Sequence, residues 1–341
     1  MIAVVRQSAT EEQLDHLIRW IHGQGFKTHV SHGDNETIVG IIGDTSQMDP
    51  FLLESMSIIR NVQRVSEPFK KASRSFHPSN TVVDCGHNVL VGDGGFTVVA
   101  SIDTMDDATL MDACVRAKEA GATMLRGRAY VPRTSPYSFQ GMGERGLDLL
   151  AQVGTELDLP VIAEVLDPRD VPLFVRKGID VIQVGARNAQ NPCLLREVGK
   201  TATPVLLKRG FAGTIDELLM AAEYVMSEGN PNVMLCESGI RTFETRMQRT
   251  FDVNAIPVLK HLSHLPVLAE PTHSASYTRY APPLAFSATA AGADGVQLEV
   301  HAGRAENPSA DERALSTVQL ASTVRGMQGI RAALVAQAGK E

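Results

Sequence analysis

The stretch Pro204–Gly239, PVLLKRGFAGTIDELLMAAEYVMSEGNPNVMLCESG, decides the fold. A short apolar run, PVLLKRG, ends in two cations. A polar loop and a helical stretch, TIDELLMAAEYVMSEG, follow, and a second apolar run, VMLCESG, closes the unit. Runs this continuously apolar fit strands covered on both faces, as in a parallel sheet whose crossovers are helices. The same alternation extends in both directions. FTVVAS, TMLRG, VIAEV and VIQVG precede the stretch, PVLAEP and GVQLEV come after it, and helical segments such as DDATLMDACVRAKEAG separate most of them. Eight β units of this kind predict the α/β class and a closed (β/α)8 TIM barrel. A doubly wound open sheet is the competing arrangement, and it lacks a glycine fingerprint after its first strand. Just before the first strand, VVDCGHNVLVGDGG predicts a hairpin that closes the barrel bottom.

The front of the chain follows another plan. MIAVVR alternates as a strand, and ATEEQLDHLIRWIHGQG is an amphipathic helix stopped by glycine. KTHVSHG with ETIVGIIGD forms a hairpin, MDPFLLESM a second helix and VQRVSEPFK a last strand. That β-α-β-β-α-β order predicts a ferredoxin-like module. The expected division is residues 1–68, a ferredoxin-like regulatory or oligomerisation domain, and residues 69–341, the barrel with its N-terminal hairpin. KKASRSFHPSN serves as the linker.

Composition excludes several classes. The chain has 341 residues, 43% hydrophobic and 21% charged, with a net charge of −7. No basic stripe offsets this acidity, which argues against nucleic acid as a partner. No apolar run approaches the roughly 20 residues that span a bilayer, so no membrane role is expected. The start lacks a basic segment followed by a long apolar one, and the four cysteines are scattered without a CxxC pair. Reduced thiols and a cytoplasmic location are the expectation.

In such barrels the active site lies at the C-terminal ends of the strands. Asp103 follows the first strand and Arg126 closes the second. Glu164, Gln183 with Arg187, Lys208 with Arg209, and Glu237 attend the next four; Glu270 with His273, then Glu299 with His301, complete the rim. Every strand thus delivers an ionisable or strongly polar group to one end. Arg126, Arg133, Arg187 and Lys208 are candidate anion-binding residues, because arginine presents a planar fork and lysine a point charge. The loop Leu125–Gly143, LRGRAYVPRTSPYSFQGMG, sets Thr134 and Ser135 beside Arg133 between two prolines, which suits a phosphate on a small anionic metabolite. Internal pairing of these cations with Glu164 and Glu237 is the plainer alternative. Glu237, Glu299 and His273 are the candidates for proton transfer. Asp103, His273, Glu299 and Asp311 form a candidate divalent-metal set, whose donors suit Mn²⁺ or Mg²⁺ better than Zn²⁺.

Longer motifs carry a resemblance. PRTSPYSFQGMGERGL, EVLDPRDV, IQVGARNAQN, LLREVG, PVLLKRGFAGTIDELLMAAEYVMSEGNPNVMLCESGIRTFET, SHLPVLAEPTH and LEVH resemble the type I-beta 3-deoxy-D-arabino-heptulosonate 7-phosphate (DAHP) synthases. The resemblance spans nearly the whole chain. It implies condensation of phosphoenolpyruvate with erythrose 4-phosphate, a divalent metal, and assembly as a homodimer or homotetramer. It also implies that Arg126, Arg187 and Lys208 contact phosphoenolpyruvate, that Arg133, Thr134 and Ser135 belong to the sugar-phosphate loop, and that His273 and Glu299 bind metal.

Departures from the family pattern fall at the chemistry. Where the family has a metal-binding cysteine in Gly-Pro-Cys, Asp103 stands here. The lysine of Lys-Pro-Arg-Thr-Ser-Pro is Val131, and the phosphate-binding arginine of Cys-Glu-Arg-Gly is Ser238. Glu270 replaces an aspartate, and the last metal aspartate has only the offset Asp311 to match it. Losing that lysine and arginine together implies phosphoenolpyruvate binding weaker by about 3–6 kcal/mol. The expected function is therefore a divergent enzyme of this family, making or breaking carbon–carbon bonds on a phosphorylated or carboxylated metabolite. The alternatives are the retained synthase reaction and a non-catalytic partner protein.

Overall fold

The computed structural model describes residues 1–32, 37–43, 45, 48–63, 68–103, 107–303 and 314–338. The chain divides into two compact units, Met1–Pro68 and Phe69–Glu341. In the first, strands β1 (Ile2–Val5), β2 (Lys27–His32), β3 (Thr37–Ile42) and β4 (Ile59–Gln63) form an antiparallel sheet in the order β2-β3-β1-β4. The helix Glu11–Gly23 starts at a reciprocal cap: the Gln13 amide donates to Thr10 Oγ1, and the Thr10 amide donates to Gln13 Oε1. Its Leu17 and Ile21 pack with Ala3, Val39 and Ile41 of the sheet. The short helix Pro50–Glu54 has Asp49 as its cap. The last strand lies earlier than the run VQRVSEPFK suggests, and residues 64–67 are outside the described set.

The second unit opens with the hairpin β5 (Val83–Asp84) and β6 (Leu90–Val91). Eight strands then close a parallel barrel: β7 (Thr97–Ile102), β8 (Met124–Gly127), β9 (Val161–Val165), β10 (Val181–Val184), β11 (Val205–Lys208), β12 (Val233–Glu237), β13 (Val267–Ala269) and β14 (Gly295–Val300), with β14 pairing back to β7. Each coincides with one of the apolar runs. The helix between β11 and β12, Ile215–Ser227, starts at Thr214, which exchanges hydrogen bonds with Glu217. Among the described residues no helix is long and apolar enough to cross a membrane.

The lumen explains how polar residues sit inside apolar strands. Side chains two apart on a strand point the same way. Met124, Ile162, Val181, Leu206, Met234 and Leu268 form a lower lumen layer, onto which Val83, Cys85 and Val91 of the hairpin pack as a plug. Two residues further on come Arg126, Glu164, Gln183, Lys208, Cys236 and Glu270, which are also buried. The barrel is thus apolar at its floor and ionic one layer up. Outside, Gly127 turns toward the helix Glu144–Leu157, where a Cβ would overlap Leu150. That contact keeps the chain tight against the helix just after Arg126.

Candidate active site

The ionic layer is built from pairs that cross between strands. Arg126 on β8 donates through Nη1 to Ser101 Oγ at 2.8 Å and through Nη2 to Glu164 Oε2 at 3.0 Å. Gln183 Nε2 donates to the same Glu164 oxygen at 2.8 Å, since β9 and β10 set Gln183 level with Glu164. Gly185 follows β10 where a Cβ would overlap Glu164 Oε1. Gly185→Ala is therefore expected to displace that carboxylate and leave two buried donors without their acceptor. The predicted loss is about 1–3 kcal/mol of stability, read by urea denaturation.

On the opposite side Lys208 Nζ lies 2.6 Å from Glu270 Oε1 and Gln297 Nε2 donates to the same oxygen at 2.5 Å. His273 Nδ1 meets Glu270 Oε2 at 2.5 Å, and its Nε2 lies 3.0 Å from Glu299 Oε1. Arg128 Nη2 donates to that Glu299 oxygen at 2.7 Å. Burial alone would raise Glu270, but the charges of His273 and Lys208 outweigh it and hold the carboxyl well below the usual range. Glu299 behaves alike: burial opposes ionisation, and His273 and Arg128 prevail. His273 shifts upward, because the two carboxylates overcome the burial that disfavours its cation.

Above this layer opens a cavity of about 560 Å³, within the range of small-molecule sites. Its wall holds six lysine and arginine side chains against four carboxylates. Three of the cations, Arg126, Arg128 and Lys208, are engaged with Glu164, Glu299 and Glu270. Arg187 has no hydrogen-bond partner among the described residues and lies 5.3 Å from the centre of the Phe211 ring. The wall therefore carries an excess of positive charge directed at a guest.

Of the residues expected at the rim, Asp103, Arg126, Arg133, Arg187, Lys208, His273 and Glu299 line the cavity together. Thr134 and Ser135 are not on its wall; Ser135 Oγ accepts from the Tyr137 amide within the loop itself. Glu237 is also absent from the wall. It is fully buried, accepts from Arg209 Nη1 at 2.9 Å and from the Gly239 amide at 2.7 Å, and so braces the turn after β12. Arg209 is equally internal, since it also reaches Asp252 at 2.8 Å and the Gly213 carbonyl. For Arg126 and Lys208 internal pairing holds as well, but each still faces the cavity. Sequence reasoning missed Arg128, Phe211 and Arg249. Arg128 had a signal, because in an extended segment it shares a face with Arg126.

The expected metal set is incomplete in this arrangement. His273 Nε2 and Glu299 Oε1 are two donors of suitable chemistry facing one another, but among the described residues no three of His, Cys, Asp and Glu gather as a cation requires. Asp103 turns to its own neighbourhood: Oδ1 accepts from the Ala302 amide at 2.9 Å, and Oδ2 lies 3.8 Å from His301 Nε2. Asp311 lies outside the described residues.

Comparison with known proteins fits this geometry. The model of the DAHP synthetase I family matches residues 71–334, and that of the DAHP synthase ferredoxin-like domain matches residues 1–67. The chain belongs to the DAHP synthetase I family. It is similar to the phospho-2-dehydro-3-deoxyheptonate aldolase of Thermotoga maritima, at 43% identity over 302 residues, covering 88% of this chain and 89% of the relative. The crystal structure of phospho-2-dehydro-3-deoxyheptonate aldolase (DAHP synthase) from Thermotoga maritima superposes with a TM-score of 0.75 at 40% identity, covering 98% and 97% of the two chains. A 2-dehydro-3-deoxyphosphooctonate aldolase of Syntrophobacter fumaroxidans is 33% identical over 181 residues, half of this chain and 62% of that one. This member of the DAHP synthetase I family is thus an enzyme of transferase or aldolase type, with the barrel and ferredoxin-like module read from its sequence. The similarity to the Thermotoga aldolase favours the retained reaction over the divergent one.

Proposed function

We propose that the chain catalyses the DAHP synthase reaction. Carbon 3 of phosphoenolpyruvate attacks the aldehyde carbon of erythrose 4-phosphate, water adds at carbon 2, and inorganic phosphate leaves. One observation carries this reading: a cavity at the strand ends whose cations outnumber its carboxylates, in a chain 43% identical to a phospho-2-dehydro-3-deoxyheptonate aldolase. Two anionic substrates need such a wall.

Arg126, Arg187 and Lys208 would receive the enol acid. Arg133, on the loop with Thr134 and Ser135, would receive the sugar phosphate nearer the mouth. Lys208 and Arg126 already touch carboxylates, so a guest anion shares them rather than meeting bare charges. A divalent ion, when bound, would be held by the His273 imidazole and the Glu299 carboxylate and would polarise a carbonyl; the ion proposed is Mn²⁺ or Mg²⁺, the carboxylate being the hard donor of the pair. Assembly as a homodimer or homotetramer belongs to the same reading and is measured by light scattering.

Purified protein supplied with phosphoenolpyruvate, erythrose 4-phosphate and Mn²⁺ is expected to release one phosphate per enol acid consumed and to form a seven-carbon acid. No phosphate release overturns the reading. A second reading, a changed substrate pair, draws on Val131 and Ser238, which put an apolar and a short side chain on the wall where the resemblance expects cations. Turnover of another phosphorylated or carboxylated metabolite, with none of the first pair, selects it.

A further inference from the structure

Ser238 lines the wall where the resemblance expects an arginine, and the chain brings Arg249 to the same wall. After β12 the chain makes an excursion and returns: Ile240 and Thr250 exchange backbone hydrogen bonds at 2.9 Å in both directions, as an antiparallel bridge. The bridge brings Arg249 back beside Ser238 and Gly239. Gly239 has φ +82°, and a Cβ there would stand 3.0 Å from Arg249 Cβ and overlap Ser274 Oγ, so the turn needs glycine. Arg249 Nη1 lies 3.3 Å from the Ser238 carbonyl oxygen, and its guanidinium is 4.2 Å from the centre of the Phe211 ring. Arg187 stacks on the same ring, and Arg187, Phe211, Ser238 and Arg249 all line the cavity.

We propose that Arg249 and Arg187, stacked on Phe211 with the Ser238 hydroxyl beside them, form the phosphate-binding end of the cavity, Arg249 acting in place of an arginine at position 238. This deepens the proposed function and rests on it for the identity of the ligand, a phosphate monoester. Two features point to a ligand independently of one another. Ser238 Oγ is buried without a hydrogen-bond partner among the described residues, a state that a phosphate oxygen relieves. The ring of Phe211 gathers three guanidinium groups that would otherwise repel, those of Arg187, Arg241 and Arg249, and a dianion held by the two that line the cavity lowers that repulsion.

The test measures binding by calorimetry on the full chain, with phosphoenolpyruvate as the probe and pyruvate, which lacks the phosphate, as its control. Arg249→Gln is expected to weaken phosphoenolpyruvate binding roughly 10- to 150-fold, the worth of one charge-assisted hydrogen bond, and to leave pyruvate binding unchanged. The double variant Ser238→Arg, Arg249→Gln is expected to regain at least tenfold. A thermal melt confirms that each variant is folded. Wild-type affinity in Arg249→Gln, or an equal loss for both ligands, overturns the proposal. So does a folded double variant as weak as the single one. The two readings fail separately. A wild-type chain that binds phosphoenolpyruvate through Arg249 but makes no seven-carbon acid sinks the reaction alone, and an active wild type indifferent to Arg249→Gln sinks this site alone.

Discussion

Glu270→Ala is expected to lower the unfolding free energy by about 3–5 kcal/mol, the largest stability effect of any single rim substitution. Glu270 is fully buried and receives Lys208, Gln297 and His273 on its two oxygens. Removing it strands an ammonium that is itself only 3% exposed. The loss therefore comes from the uncompensated charge, more than from the pair's net worth. The double variant Lys208→Met, Glu270→Gln separates these contributions, because it leaves no lone ion inside the barrel. It should lose clearly less than Glu270→Ala. Urea unfolding of both proteins checks this, and an equal or greater loss in the double variant would refute the explanation.

The second large effect falls on affinity and spares stability. Arg187→Ala is expected to weaken binding of phosphoenolpyruvate by about 3 kcal/mol, roughly 150-fold, with the unfolding free energy changed by less than about 0.5 kcal/mol. The contrast follows from its surroundings. Arg187 is exposed, makes no hydrogen bond to a described residue and lies 5.3 Å from the centre of the Phe211 ring. Its fork is available to a ligand and contributes little to folding. Calorimetry and urea unfolding on the same sample decide the matter. A variant that binds normally, or one that unfolds easily, would remove Arg187 from the anion site.

The eight strands were legible because a strand covered by helices outside and a packed lumen inside has to be apolar along most of its length, as VIAEV and GVQLEV are. The plug was legible for a related reason, since VVDCGHNVLVGDGG pairs short apolar runs around turn residues. Partnership among the rim charges was not. Whether Glu164 serves Arg126 or a guest depends on the stagger of β8, β9 and β10, which no local pattern encodes. Glu237 shows the limit well. It sits at a strand end among catalytic candidates, yet Arg209 and the Gly239 amide draw it into the scaffold. Arg249 was hidden for another reason. Only the bridge between Ile240 and Thr250 carries it back to Ser238, and a loop of polar residues announces no such return.

The hairpin plug has a kinetic consequence. With Val83, Cys85 and Val91 seated against the lower lumen, the described residues close the barrel at its floor, and the cavity lies at the other end. In the proposed reaction both reactants and every product would pass through the strand-end side. On the proposed placement, a molecule lodged deep beside Arg126 and Lys208 would enter before its partner settled nearer Arg133, and would depart only after the outer berth was vacant. Traffic is queued by architecture, whatever chemistry the rim performs.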